Sequence, residues 1–288
     1  MHLVRVTHAD APRVGVHLDE DGIRLAALGT TMGQLLGDPG LRAVVATDGE
    51  PGTPGDRLLP PVDPTAVVVN IGTNYHDHAL PAQDAQRPAL TWFIKSPRSW
   101  IAAGEGIRVP PQWPDRVDYE GELGVVFSSE CHRVGEAEAW SHLGGLTLLN
   151  DVSARDAWPE LTAATTPAEE RAAWNRMMLG KQLPTFGPIG PSIVTLDEIS
   201  DPGALVLHTR LNGDIVQQAP MSRMKIGVAQ LVSQLSEFFH FHPGDVISTG
   251  TPGGVGQARG RYLRAGDEVS VEVDGVGVLS NPVVPSAD

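Results

Sequence analysis

The chain has 288 residues and a formal net charge of −14, so it can bury the core of one large domain, or of a large domain with a small one attached. The excess of carboxylates argues against nucleic acid or an anionic membrane as a partner, and no apolar run in the sequence is long enough to span a bilayer. Cys131 is the only cysteine, which excludes an intrachain disulfide and a thiolate metal cluster and fits a cytoplasmic protein.

A small N-terminal domain is predicted for residues 1–62, followed by the main domain, residues 63–288. Thr31 is predicted to cap a short helix that ends at Leu36, and a turn is expected at residues 20–22. The abundance of glycine (32) and proline (24) predicts short strands and many turns. Three segments rich in β-formers are the predicted strands of this domain: residues 3–7, 13–18 and 22–27.

Polar residues follow two predicted strands in the next part of the chain. The apolar strand at residues 66–71 runs into a segment that ends with His78, and a strand at residues 89–96 carries Lys95 near its end. Side chains at strand ends are held firmly and are commonly site residues. Taken alone, however, His78 is expected to be a surface or capping histidine, and Lys95 is expected to be solvated.

An Asp-x-Glu-x-Glu pattern begins the strand predicted at residues 118–127. Alternation along a strand directs Asp118, Glu120 and Glu122 to one face. Three aligned like charges repel one another, and a partly buried carboxylate without a partner is costly. This face is therefore either fully solvated or occupied by a cation. Asp151 directly follows the next apolar strand, which makes it a further candidate.

Two helices and two hairpins complete the predicted elements. Residues 160–178 form either a mobile lid or an ordinary amphipathic surface helix. Asn212-Gly213 and Asp274-Gly275 are hairpin turn signals. The glycine-rich residues 243–256 have neither the Walker spacing nor the dinucleotide fingerprint. The longest helix is predicted at residues 224–241, and its apolar residues at helical spacing are the expected core positions Ile226, Leu231, Leu235 and Phe238.

Eight short motifs follow one another along the main domain. They are Gly-x-Asn-Tyr-x-Asp-His (72–78), Phe-x-Lys-x-Pro (93–97), Asp-Tyr-Glu-x-Glu-Leu (118–123), Asn-Asp-Val-Ser-Ala-Arg-Asp (150–156), Gly-Lys (180–181), Gly-Pro (190–191), Asn-Gly (212–213) and Pro-Gly-Asp-x-Ile-x-Thr-Gly-Thr-Pro-x-Gly-Val-Gly (243–256). Their order resembles the fumarylacetoacetate hydrolase family. The resemblance implies an α+β, mainly β fold: a mixed β-sandwich roll with peripheral helices and a small N-terminal domain, usually assembled as a homodimer.

The resemblance also implies a divalent-metal site and a small-molecule 2-oxo acid substrate. The implied ligands are Glu120, Glu122 and Asp151, and such a carboxylate set suits Mg²⁺ or Mn²⁺, with Ca²⁺ also possible, rather than Zn²⁺. Asp118 would accept hydrogen bonds that hold the site. Lys181, otherwise a lysine near the last carbonyls of a helix, would add positive charge at the substrate oxygens. The implied substrate-binding residues are Tyr75, Lys95, Arg155 and Thr251.

The reaction that the resemblance implies first is hydrolysis of a C–C bond in an acylpyruvate-type, fumarylpyruvate-like 2,4-dioxo acid, for example in bacterial aromatic catabolism. His78 would be the base that activates water. Hydrolytic members of the family often carry a glutamate three residues after this histidine, where it orients the ring, but Pro81 stands there in this chain. Asp77, Asp84 or Glu105 would have to replace that glutamate.

Without an orienting acid, activation of water is expected to be weaker by about ten- to ten-thousand-fold. Reactions that need only the metal and an enolate would lose less. The alternative function is therefore an isomerase, tautomerase or decarboxylase of a 2-oxo dicarboxylic acid of the oxaloacetate or hydroxyhepta-dienedioate type. A third hypothesis is a catalytically weak relative that binds a 2-oxo acid.

Overall fold

The computed structural model of the chain describes residues 1–18, 22–76, 90–157 and 164–286. These residues form mostly strands, and none of the helices among them is long and apolar enough to cross a membrane. The helices are α1 (Met32–Gly37), α2 (Pro39–Asp48), α3 (Pro167–Gly180), α4 (Val228–Ser236) and α5 (Gly256–Arg259). The predicted fold class, α+β and mainly β, is confirmed.

The strands of the described residues are, in chain order, β1 (His2–His8), β2 (Ala11–Leu18), β3 (Gly22–Leu25), β4 (Glu50–Pro51), β5 (Arg57–Leu59), β6 (Val68–Gly72), β7 (Thr91–Ile94), β8 (Trp100–Ile101), β9 (Ile107–Arg108), β10 (Val117–Asp118), β11 (Gly121–Phe127), β12 (Leu143–Asn150), β13 (Ser153–Ala154), β14 (Gly187–Thr195), β15 (Val206–Leu211), β16 (Asp214–Pro220), β17 (Val246–Ser248), β18 (Glu268–Val273) and β19 (Gly277–Val284). Their short lengths agree with the many glycines and prolines of the sequence.

The largest sheet connects the N-terminal strands to the main domain. Its strands follow the order β4-β3-β2-β1-β14-β12-β11-β17-β6-β7, with β5 on β1 and β8 on β14. β1 makes the connection by pairing antiparallel with β14, where Leu3 lies opposite Ile193. The predicted N-terminal strands thus belong to the same sheet as β11 and β12, and a domain boundary at residue 62 stays a prediction. The turn expected at residues 20–22 lies largely outside the described residues.

A second, five-stranded sheet has the order β16-β15-β18-β19-β9. The predicted hairpin at Asn212-Gly213 is confirmed, and both residues have positive φ (53° and 90°), as the tight two-residue turn requires. A core cluster joins the two sheets, with Leu123 and Leu148 from the large sheet and Leu207 and Val271 from the small one. This shared core holds β11 and β12 in place.

Helix α4 adds Leu231 and Leu235 to that core, as predicted. The helix is shorter than the predicted 224–241 because Gly227 is its N-cap and Glu237 its C-cap. Phe238 was expected in the core, but its side chain is 81% exposed. That prediction is wrong because Phe238 lies beyond the end of the helix, where helical spacing no longer determines which side chains face inward.

Helix α3 begins at Pro167, later than the predicted residue 160. Thr166 caps it: its hydroxyl accepts from the Glu169 N–H, and the Glu169 carboxylate accepts from the Thr166 N–H. Residues 158–163, part of the segment predicted as a lid, lie outside the described residues. Lys181 is the C-cap residue of α3. The end of this helix therefore fixes the backbone position of Lys181.

Candidate active site

Adjacent strand ends bring two of the predicted carboxylates side by side. The acidic strand is not continuous as predicted, because β10 ends at Asp118, β11 begins at Gly121, and Glu120 lies in the link between them. The Asp151 N–H donates to the Glu120 carbonyl oxygen at 2.8 Å. The Glu120 N–H donates to Asn150 Oδ1 at 2.9 Å. One backbone bond and one bond to the Asn150 side chain therefore hold Glu120 next to Asp151.

The side chains of Glu120, Glu122 and Asp151 form a buried carboxylate triad. Their exposed fractions are 5%, 1% and 2%, and one oxygen from each lies within 4.8 Å of the others. The alternative of a fully solvated acidic face is therefore wrong. Buried charges of one sign must be balanced by cations of the protein or by a bound ion.

Two buried lysines supply part of that balance. Lys181 Nζ donates to Glu120 Oε2 at 2.7 Å, to Ser153 Oγ at 2.9 Å and to Asp151 Oδ2. Lys95 Nζ donates to the other oxygen of Asp151, and to the Val152 carbonyl at 3.2 Å. The expectation of a solvated Lys95 is wrong, because its ammonium is buried and paired with the Asp151 carboxylate.

Arg155 and Asp118 form the frame on the other side of Glu120. The guanidinium donates to Asp118 Oδ2 at 2.9 Å and also to Glu120 Oε1. Asp118 accepts two further bonds, from the backbone N–H groups of Gly256 and Gln257. Asp118 thus orients the arginine that holds Glu120, which is the supporting role predicted for it. In this arrangement Arg155 contacts the carboxylates, and its predicted contact with substrate stays a prediction.

The protonation of the cluster follows from its burial. Burial, reinforced by the negative charge of Asp151, raises the pKa of Glu122 to about 8. Burial also lowers the pKa of Lys95, against the attraction of Asp151. For Lys181, burial again favours the neutral amine, but the charges of Asp151 and Glu120 outweigh it and raise the pKa. Lys181 therefore stays charged, as Arg155 does, and burial favours the protonated form of Glu122.

Mg²⁺ binding should become stronger as the pH rises towards 8 and should level off above it. With a pKa of about 8, Glu122 is protonated in metal-free protein below that pH, and an ion that takes this carboxylate must release the proton. The apparent association constant is expected to rise by up to about tenfold per pH unit below pH 8. Isothermal titration calorimetry in buffers of different ionisation heat measures the released proton, and equal release at pH 7 and pH 9 would contradict this assignment.

Glu122 is oriented by residues that sequence reasoning missed. Ser248 Oγ donates to Glu122 Oε2, and the Gly250 N–H donates to the same oxygen at 3.1 Å. Gly121, between the two glutamates, has no room for a side chain, because a Cβ there would lie 2.1 Å from Thr209 Oγ1. Ser248 is an unspecified position in the motif at residues 243–256, so only strand pairing between β11 and β17 reveals its role.

Gln217 is a second residue that the sequence did not single out. Its amide oxygen accepts from the Gly121 N–H at 3.1 Å, and its Nε2 donates to Thr251 Oγ1 and to the Pro252 carbonyl, both at 2.8 Å. Gln217 thus links the small sheet to the segment between Glu120 and Glu122. The periodicity of β16 predicts that it points inward but not which groups it meets.

Replacing Gln217 by Leu should destabilise the protein by about 1–3 kcal/mol for each buried partner left without a hydrogen bond. Urea denaturation measures the loss in the free energy of unfolding. Gln218→Leu is the matched control, since Gln218 is the exposed neighbour on the same strand, and we expect a change within about 0.5 kcal/mol there. Equal effects of the two substitutions would show that the buried amide does not hold the site.

The other predicted site residues differ in what the structure shows of them. Thr251 is buried, and its hydroxyl donates to the Gly121 carbonyl at 2.8 Å, so its one proton is used inside the protein. Tyr75 is fully buried and forms a β-bridge with Met224. Their roles in substrate binding stay predictions.

Glu105, one of the suggested replacements for the missing glutamate, is exposed and accepts from the Ala102 N–H in its own turn. His78, the predicted general base, lies outside the described residues together with Asp77, Pro81 and Asp84.

The donor set of the triad fits a hard divalent cation. Three carboxylates converge in a buried place, and the Lys181 ammonium already lies against two of them as a counter-charge. Ligand sets made only of oxygen favour Mg²⁺, Mn²⁺ or Ca²⁺ over Zn²⁺. An ion held by Glu120, Glu122 and Asp151 would compete with Lys181 for the oxygens of Glu120 and Asp151.

Comparison with known proteins identifies a family that the chain matches. Residues 67–284 match the family described as Fumarylacetoacetate (FAA) hydrolase C-terminal. "Oxaloacetate tautomerase fahd2, mitochondrial" of Xenopus laevis is 37% identical over 79% of this chain and 68% of its own length. "Oxaloacetate tautomerase YisK" of Bacillus subtilis is 32% identical over 76% of this chain and 70% of its own length.

Solved structures show the same likeness over the whole chain. The 5-carboxymethyl-2-hydroxymuconate delta-isomerase from Mycobacterium smegmatis superposes with a TM-score of 0.78 at 30% sequence identity, and the match covers 99% of this chain and 100% of that one. The likeness therefore includes the N-terminal strands as well as the residues of the family match.

Proposed function

Because the chain belongs to the fumarylacetoacetate hydrolase family, we propose that it is a divalent-metal-dependent tautomerase of a 2-oxo dicarboxylic acid of the oxaloacetate type. The metal would be Mg²⁺ or Mn²⁺, held by Glu120, Glu122 and Asp151. The reaction moves a proton between C3 and the oxygen on C2, and so interconverts the keto and enol forms. This is the alternative that Pro81 suggests in the sequence.

The observation that carries the proposal is the buried cluster in which Lys181 and Lys95 contact the carboxylate triad. Loss of the C3 proton gives an enolate, whose new negative charge lies mainly on the oxygen at C2. Ammonium groups held in a water-poor site favour such a charge far more than they would in water. A bound Mg²⁺ or Mn²⁺ would add Lewis-acid stabilisation of the same oxygens. Lys181 is the residue we assign to the developing charge. Glu120 and Asp151 keep its ammonium charged, and an ion that takes oxygens of these carboxylates would free its N–H groups.

Tautomerisation demands less of this site than hydrolysis does. Hydrolysis needs a base that is oriented to activate water. Of the three suggested replacements for the glutamate absent at position 81, Glu105 is the one among the described residues, and its carboxylate is used in its own turn. The relatives reported above are named as tautomerases, and the solved structure as an isomerase. Hydrolysis of an acylpyruvate stays a prediction that these names do not support.

Three substrates tested in parallel separate the candidate reactions. The full chain is incubated with the enol form of oxaloacetate, with an acylpyruvate and with an unsaturated 2-oxo diacid, with Mg²⁺ or Mn²⁺ and with a chelator. We expect metal-dependent loss of the enol absorbance without CO₂ release. Acid release from the acylpyruvate as the faster reaction, or no turnover of any substrate, would overturn the proposal.

We also propose that the chain forms a homodimer through the edge of β7. This strand ends the path of the large sheet, and it presents exposed Trp92 and Ile94. The Trp92 ring packs edge-on against Phe239, with centroids 5.0 Å apart, and the next residue back along the chain is exposed Phe238. Exposed apolar side chains grouped at the end of a sheet mark interaction surfaces. We expect Phe238→Asp to convert the dimer to a monomer in light scattering coupled to size exclusion. Val278→Asp, an exposed apolar residue on β19, is the control that should leave the mass unchanged.

A further inference from the structure

An isolated β-bridge away from the carboxylate triad presents a second set of metal-ligating side chains. Cys131 and Phe241 exchange two backbone hydrogen bonds of 3.0 Å each, and both side chains are buried. Because side chains alternate across a strand, the residues on either side of this pair face outward together. The four residues on the exposed face, here called the histidine ribbon, are Glu130, His132, His240 and His242.

Three of these side chains already converge. His240 Nε2 lies 3.6 Å from Glu130 Oε2, and His242 Nδ1 lies 3.9 Å from Glu130 Oε1. One ligand atom from each of the three residues lies within 4.8 Å of the other two. The imidazole rings of His240 and His242 stack with their centroids 4.7 Å apart. Exposed side chains need only small rotations to bring such atoms onto one ion.

The backbone under the ribbon is held firmly, which favours a site over a chance cluster. Phe241 stacks on Phe127 in the core with ring centroids 4.3 Å apart. The Asp245 carboxylate accepts from the His242 N–H at 2.8 Å, and the Asp245 N–H donates to the His242 carbonyl at 3.0 Å. The positions from which the ligands project are therefore set by the fold.

His132 adds a further donor beside the three. Its Nδ1 lies 3.2 Å from the Phe239 carbonyl oxygen, and a carbonyl only accepts, so Nδ1 carries the proton. In the neutral ring this leaves the lone pair on Nε2, which is the arrangement that metal-bound histidines commonly show. The His132 ring centroid lies 5.3 Å from that of His240.

We propose that the histidine ribbon binds a late first-row divalent metal ion of the Zn²⁺, Ni²⁺ and Cu²⁺ class, through His240, His242 and Glu130. Imidazole nitrogen with one carboxylate suits these ions, whereas Mg²⁺ and Mn²⁺ prefer oxygen ligands. The chain would thus carry two metal sites of opposite preference, a buried one made of carboxylates and an exposed one made mainly of imidazoles. The alternative for the ribbon is a set of surface ion pairs, which contribute little.

Zn²⁺ alone is the probe. The full chain, kept in excess Mg²⁺, is titrated with Zn²⁺ in a calorimeter and compared with the His240→Ala/His242→Ala double variant. We expect the double variant to lose one binding event. Each single variant should bind Zn²⁺ more than about tenfold more weakly, because loss of a group that only supports a ligand already lowers metal affinity by about tenfold or more. Exposed His17, on β2, gives the matched control His17→Ala, in which the binding event should persist.

The fold and the triad provide independent checks. All variants should melt at the wild-type temperature without Zn²⁺, because the substituted side chains are exposed. Crystals grown with Zn²⁺ should show an anomalous peak between His240 and His242. The proposal is overturned if the double variant binds Zn²⁺ as tightly as wild type, if His17→Ala weakens binding equally, or if the peak lies only at the triad. None of these outcomes depends on the tautomerase activity.

Discussion

Replacing Glu120 by Gln should abolish turnover and weaken Mg²⁺ binding by more than about hundredfold, the upper range for loss of a mere supporting group around a metal. Glu120 contacts both Lys181 and Arg155, so the substitution removes a candidate ligand and also leaves two buried cations with less opposing charge. Breaking a buried pair in this way costs about 3–5 kcal/mol. A domain in the middle of the ordinary range, about 10 kcal/mol, stays folded after that loss.

Calorimetry with Mg²⁺, a turnover assay and a melting curve are the three measurements for this variant. Glu268→Gln, which neutralises an exposed glutamate on β18, is the control and should behave as wild type in all three. Full activity in Glu120→Gln would refute the site. Lost activity with unchanged Mg²⁺ affinity would show that Glu120 serves the reaction without holding the ion.

Replacing Lys181 by Met should lower turnover by about 10²–10³-fold, the usual effect of removing one group that stabilises a developing oxyanion. Lys181→Met should strengthen Mg²⁺ binding, whereas Glu120→Gln should weaken it. The Lys181 ammonium lies on the oxygens of Glu120 and Asp151, so its removal frees these oxygens and removes a like charge. Mg²⁺ should therefore bind more tightly while catalysis is lost.

The opposite directions of the two effects separate a catalytic lysine from a merely structural one. Arg57→Met, at an exposed cation on β5, controls for the change in net charge and should alter neither quantity. If Lys181→Met weakened Mg²⁺ binding and turnover together, the lysine would be a support of the triad, and the assignment of the enolate charge to it would be wrong.

Local sequence patterns predicted the elements of this fold where the physical cause is local. Thr31 does cap α1, and Asn212-Gly213 does form the hairpin turn, because capping and tight turns depend on neighbouring residues. Phe238 shows where such a pattern ends: nothing local reveals that α4 stops at Ser236. The prediction continued the helical spacing past that point and therefore placed the exposed Phe238 side chain in the core.

Among the site residues, too, some could be predicted from the sequence and others could not. Spacing and resemblance singled out Glu120, Glu122 and Asp151, and the structure brings their oxygens together. Gln217 and Ser248 were missed because their partners are distant in the chain. Gln217 bonds to residues 34 to 96 positions away, and Ser248 bonds to Glu122, 126 positions away. The prediction for Lys95 alone was wrong for the same reason, since it is buried against Asp151, which directly follows β12.

That long-range construction has a consequence for how the protein loses activity on heating. The cluster takes Lys95 from beside β7, Glu120 from beside β11, Lys181 from the end of α3 and Ser248 from β17, so no single secondary-structure element contains it. Catalysis should then report on the whole native state: the thermal inactivation curve and the loss of near-ultraviolet dichroism are expected to coincide. If activity were lost at a clearly lower temperature than the near-ultraviolet dichroism, the active site would unfold before the rest of the protein.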